Sequence, residues 1–293
     1  MRLVWRLTLF MFVTLLIASL VGIVLPAGVQ AGSFALLLGS LIAGWLMLAL
    51  DGRTPAALGF YLTQRAGREA VVSVAIGAGV ALVAVALLAL LGGVAWSAQD
   101  GSFVAWTVGA VGAAAYLTLP AAAEEALLRG YPLQALAEAW GAGPAIAVTA
   151  VAFAALHYNN PGLTVLALGN LVAAGLLLGA VYVRTGSLWL ATGLHLGWNW
   201  MHGYGVDLPV SGLELLDAPL YDGVATGPDW LGGGAFGPEG SAVTMLVLLA
   251  AAAMSWWGPW LKPSPAAVQA GALVLTPRDE RSWPTPSEGA VPA

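Results

Sequence analysis

Of the chain's 15 carboxylates, only Glu124 and Glu125 fall inside an apolar run, in Ala121-Ala122-Ala123-Glu124-Glu125-Ala126-Leu127-Leu128-Arg129, and all three histidines also lie in hydrophobic stretches. Ionised groups in hydrocarbon are costly unless paired or hydrated, so acids and imidazoles gathered there mark a functional site by default. Glu125 and Arg129 stand four apart with the Glu on the N-terminal side, the order that suits a helical ion pair. Glu124 projects about 100° away around the same helix and stays free to act as a base. Phe153 and His157 share a face at i, i+4, and His195 and Asn199 do the same farther on. A Glu, two His and an Asn are the groups needed to activate water and to hold a carbonyl oxyanion. Pro120, four residues before Glu124, removes the hydrogen bond to the Tyr116 carbonyl and can kink the helix to open room for water.

The elements that must position these groups are transmembrane helices. The 293 residues are 59% hydrophobic and 9% charged, where soluble domains have roughly 45–50% and about 25%. The chain has no cysteine, which excludes disulfides, thiolate metal sites and a cysteine nucleophile. Apolar runs near 7–26, 31–50, 70–96, 103–123, 143–158, 163–183, 187–203 and 241–261 approach the ~20 residues that span a bilayer. They predict an all-α, polytopic bundle of about eight transmembrane helices over residues 1–262, with the motif core at 103–203. Every Lys and Arg falls on one side of that topology, Arg129 included, and the opposite loops hold only acids, among them Asp207, Glu214, Asp217, Asp222, Asp229 and Glu239. Under the positive-inside rule both termini are cytoplasmic, as in a multi-pass protein of the inner (plasma) membrane. A signal-peptide reading of residues 1–31 competes with a first span. Residues 51–69 read as an interfacial amphipathic helix, with a solvated loop as the alternative. Residues 263–293, with six prolines and no sustained apolar period, read as a disordered cytoplasmic tail. No repeat, phosphate loop or nucleic-acid signature is present.

Glu-Glu-x-x-x-Arg at 124–129, Phe-x-x-x-His at 153–157 and His-x-x-x-Asn at 195–199 together resemble, in order, the three motifs of the CAAX prenyl protease type II and bacteriocin-processing family of intramembrane proteases. Gly130-Tyr131-Pro132-Leu133 has the look of that family too. The resemblance implies an intramembrane endopeptidase acting on peptide or protein substrates at or in the lipid bilayer. Glu124 would be the general base, sharing the attacking water with His157; His195 and Asn199 would stabilise the oxyanion; Glu125 and Arg129 would shape the site. The family is described both as metal-dependent and as glutamate-dependent without metal. Glu124, His157 and His195 would be the zinc ligands in the first case, but without a His-Glu-x-x-His helix metal-free water activation is favoured. Two readings compete with a protease: a catalytically idle scaffold or bacteriocin-immunity-type binding protein, and a proton-coupled transporter, which would more often show inverted repeats. His202, seven residues after His195, lies outside the pattern and reads as an interfacial histidine bonding water.

Straight, upright helices with these boundaries do not bring Glu124 and His157 together. With a span ending at 123, Glu124 sits close to the cytoplasmic face, whereas His157 lies ~20 Å along its helix from that face at 1.5 Å per residue. Either the helices tilt and kink or the boundaries differ.

Overall fold

A computed structural model describes residues 2–275 of the chain. Its elements, in order, are α1 (Arg2–Val24), α2 (Val29–Leu50), α3 (Gln64–Leu90), β1 (Val94–Ala98), α4 (Phe103–Glu125), α5 (Tyr131–Trp140), α6 (Ala142–Leu156), α7 (Val165–Thr185), α8 (Leu188–Trp200), β2 (Tyr221–Ala225), α9 (Asp229–Gly232), α10 (Ala242–Trp257) and α11 (Pro265–Ala270). Five stretches are long and apolar enough to cross a membrane: α1, α2, most of α3, the 38 residues Phe103–Trp140 and α7. The runs expected at 143–158 and 241–261 form helices of 15 and 16 residues, and that at 187–203 forms a 13-residue helix continued by a π turn over Met201–Gly205; a full crossing takes ~20.

The fold is not purely helical. β1 and β2 pair antiparallel, from Val94 opposite Ala225 to Ala98 opposite Tyr221, and mark one end of the bundle. The other end collects the basic residues: Arg6 pairs with Asp51 and Glu138, and Arg184 donates to the carbonyls of Trp256, Gly258 and Leu261. At this end the expected amphipathic helix over 51–69 is absent. In its place stand a short 3-10 turn, Pro55–Leu58, and the start of α3. Ala57, Leu58 and Tyr61 are buried against protein rather than laid on a membrane surface. The segment read as a tail begins with α11, which lies near that turn; residues 276–293 lie outside the described residues. α1 is part of the bundle, with Arg6, Phe10 and Thr14 buried.

Two packing features place the chemistry. On α8, Gly193 and Gly197 stand four apart and face α3, where an added Cβ would meet Ser73 Oγ and the Val74 carbonyl oxygen at 2.0 Å. His195 and Asn199 are each two residues, about 200°, from one of these glycines, so the face opposite the small residues turns toward the interior. The second feature is the path through α4. The helix does not end at 123: a five-residue π turn, Ala126–Gly130, joins α4 to α5, and Gly141, at φ 91°, reverses the chain into α6. Only glycine takes that conformation freely. Glu124 precedes Gly141 by 17 residues and His157 follows it by 16, so two antiparallel arms of nearly equal length bring them to the same level. The unequal depths inferred from sequence came from ending the fourth span at residue 123. The same misplaced boundary put Arg129 in a loop, whereas it is fully buried.

Candidate active site

Glu124, His157 and His195 meet from α4, the end of α6 and α8. Glu124 Oε2 lies 4.0 Å from Nε2 of His157 and 4.0 Å from Nε2 of His195, and the Glu124 side chain is 24% exposed. That oxygen is buried and has no hydrogen-bond partner. The separation exceeds a direct hydrogen bond and matches a pair of groups bridged by one small molecule.

The partners of the imidazoles decide what each ring presents. His157 Nδ1 is 2.9 Å from the Phe153 carbonyl oxygen; a carbonyl only accepts, so Nδ1 carries the proton and a neutral His157 offers a bare Nε2 toward Glu124. His195 Nδ1 is 3.0 Å from Glu125 Oε1, so it too donates from Nδ1. The sequence reading gave Glu125 to Arg129 alone. The ion pair is present, Arg129 Nη1 to Glu125 Oε1 at 3.0 Å with both side chains fully buried, but the same oxygen also accepts from His195. Arg129 further donates to the Gly175 carbonyl at 3.4 Å, and its guanidinium sits 4.7 Å over the Phe153 ring. Phe153 in turn lies 4.8 Å from the His157 ring and 5.6 Å from the His195 ring. One buried carboxylate, one guanidinium and one aromatic ring thus hold both histidines.

The local backbone supports this. Pro120 frees the Tyr116 carbonyl as expected from sequence, and Gln30 of α2 donates to it at 2.9 Å, so the broken helical bond becomes an interhelical one. The π turn follows directly after Glu125; π turns inside α-helices recur at functional sites. A cavity of ≈170 Å³ opens on Glu124, His157, His195 and Asn199, with largely apolar walls that include Leu117, Leu171, Leu178 and Leu248. Asn199 lines it one turn after His195.

Sequence reasoning missed the far wall of this cavity. Val210, Ser211, Leu213, Leu215 and Glu239, all from the long segment after α8, line it together with Asn160. Glu239 was read as a loop acid, yet its residue is only 6% exposed. Its Oε1 accepts from Trp198 Nε1 at 2.6 Å, and its Oε2 accepts from the Ser211 N–H and, at 2.8 Å, the Ser211 hydroxyl. Gly237-Pro238-Glu239-Gly240-Ser241, an acid among turn residues just before a helix, is the only trace of this in the sequence. His202 is likewise not interfacial: it is fully buried, its ring tilted 53° against that of Trp198 at 4.6 Å, with Nδ1 3.1 Å from the Trp198 carbonyl oxygen.

The two Nε2 atoms and Oε2 are chemically a zinc donor set, but their spacing does not fit one. Ligand atoms at ~2.0–2.1 Å from a tetrahedral zinc lie about 3.3–3.4 Å apart, whereas both imidazoles stand 4.0 Å from the carboxylate. Among the described residues no cluster of three such side chains is spaced to hold a metal ion.

Fold and site together define a helical membrane protein with a Glu/His/His/Asn centre enclosed among its helices. Residues 105–201, about a third of the chain, match the family model described as Rce1-like, type II CAAX prenyl endopeptidase. The match spans all three motifs and bears out the resemblance they carry. No curated protein and no solved structure matches the chain.

Proposed function

We propose that the protein is an intramembrane endopeptidase of the CAAX protease type II kind, hydrolysing peptide bonds of membrane-associated substrates with water activated by Glu124 and His157. The observation that carries this reading is the convergence of Glu124 Oε2, free of any hydrogen bond, with the two imidazole Nε2 atoms, each 4.0 Å from it. A water donates one O–H to Glu124 and the other to His157 Nε2, which turns its lone pair toward a substrate carbonyl. As the oxygen–carbon bond forms, Glu124 takes the proton and the carbonyl oxygen becomes an oxyanion. Asn199 donates to that oxyanion from its amide; His195 donates from Nε2 as the imidazolium, a form that stands here between the carboxylates of Glu124 and Glu125. Collapse breaks the carbon–nitrogen bond, and Glu124 returns its proton to the leaving amine. Arg129, Glu125 and Phe153 hold the two rings in place throughout.

The apolar cavity walls and the bilayer around them favour a substrate segment delivered at or in the membrane. Substrate trapping tests the reading. Glu124→Gln keeps the shape of the site and removes the base, so membrane proteins cut by the native enzyme should accumulate intact in the variant. Identical fragment patterns for the two proteins would count against protease activity.

A further inference from the structure

We propose that Glu239 is a positioning residue that locks the 209–216 segment as the roof of the catalytic cavity. The inference rests on the protease reading for its kinetic consequence, but not for its structural one. Four contacts converge on this residue. Its carboxylate accepts the N–H and hydroxyl of Ser211 and the indole N–H of Trp198. Its own carbonyl accepts from Asn170 Nδ2 of α7 at 2.6 Å, and the same amide reaches the Ser241 carbonyl at 2.8 Å. One residue therefore ties the roof to α7 and α8.

The attachment points are those that matter for the chemistry. Trp198 lies on α8 between His195 and Asn199. Asn160, three residues past His157, donates to the Ser211 carbonyl at 2.8 Å, so the roof is fastened beside both catalytic histidines. Ser211 is held at φ 50°, an unfavourable backbone for a residue with a Cβ, and one that persists only where its surroundings impose it. Two bonds from a single carboxylate oxygen supply that imposition.

The roof is also a partition. On its inner side Val210, Ser211, Leu213 and Leu215 close the ≈170 Å³ cavity. On its outer side Leu215 and its neighbours line a separate hollow of ≈720 Å³ at the β1–β2 end of the bundle. Leu215 belongs to both walls, so release of Ser211 joins the two spaces and admits bulk water to Glu124.

The absence of cysteine from the chain gives a clean test. Leu178→Cys places a thiol on the α7 wall of the cavity at a site 3% exposed. In full-length protein in liposomes, a small charged methanethiosulfonate should modify it slowly while Glu239 is present. Glu239→Gln should raise the rate about tenfold or more, the effect of one charge-assisted hydrogen bond on an opening equilibrium. In the cysteine-free background the same substitution should lower kcat ~10- to 100-fold, the scale of a catalytic group displaced by about 1 Å, with a smaller change in KM. Ser211→Ala, which keeps the backbone bond, should lie between the two and serves if Glu239→Gln does not fold. Unchanged thiol reactivity in the folded variants, with or without a loss of thermal stability, would overturn the proposal. Faster labelling in a protein with no measurable proteolysis in any form would retain the roof and reject the protease.

Discussion

Replacing Glu125 by Gln should damage the protein in two ways, whereas the same change at Glu124 should damage it in one. Glu125 and Arg129 are both fully buried and paired at 3.0 Å, and breaking a buried pair by removing one partner costs about 3–5 kcal/mol. At about 2–4 °C per kcal/mol for chains of roughly this size, Glu125→Gln should lower the unfolding midpoint in detergent by about 6–20 °C. It should also slow cleavage, because the oxygen that holds Arg129 is the one that fixes His195 Nδ1. Glu124 Oε2 has no hydrogen bond to lose and the side chain is 24% exposed, so Glu124→Gln should shift the midpoint by no more than about 2–4 °C, the scale of about 1 kcal/mol. Its turnover should nonetheless fall ~10²- to 10⁴-fold with loss of the general base. Circular dichroism melts and a cleavage assay on the same preparations read both quantities. Equal midpoints for the two variants would refute the assignment of the buried ion pair, and a Glu125→Gln protein that is destabilised but fully active would refute its role in holding His195.

His195→Ala should lower turnover by roughly 100-fold or more, the scale of one lost oxyanion donor, and Asn199→Ala should lower it by a smaller factor, read as kcat at unchanged KM. Activity should survive exhaustive chelation, since the 4.0 Å spacings suit a bridging water better than a zinc ion; stoichiometric zinc, with activity lost on chelation and restored by zinc, would reassign both histidines as ligands. Gln30→Ala should cost about 1 kcal/mol by leaving the Tyr116 carbonyl unpaired beside Pro120, measurable as a shift in the melt. A reporter fused after residue 262 should be cytoplasmic and one inserted near Asp222 extracytoplasmic; both on one side would end the topology inferred from charge.

The catalytic candidates were legible because their cost in hydrocarbon makes them conspicuous: no other acids interrupt an apolar run as Glu124 and Glu125 do. Pro120 was legible for its backbone effect, since the missing N–H has one geometric consequence. What failed was the inference from charge to span boundary. Arg129 looked like the end of a helix because a buried guanidinium is rare, yet its ion pair to Glu125 and its stacking on Phe153 let the helix run through it. α5 then carries Gln134 and Glu138, which read as loop, although Gln134 is buried and donates to the Ala57 carbonyl, and Glu138 pairs with Arg6. The roof was invisible for a different reason. A carboxylate in a Gly- and Pro-rich loop has the same local sequence whether it is solvated or folded back onto Ser211 and Trp198, and no periodicity separates the two.

The most direct measurement is cleavage of a trapped substrate by purified protein in liposomes, in water enriched in heavy oxygen. The proposed mechanism requires one heavy oxygen in the new carboxyl terminus from the native protein, and turnover lower by ~10²-fold or more for Glu124→Gln. Native-like cleavage by Glu124→Gln would contradict it.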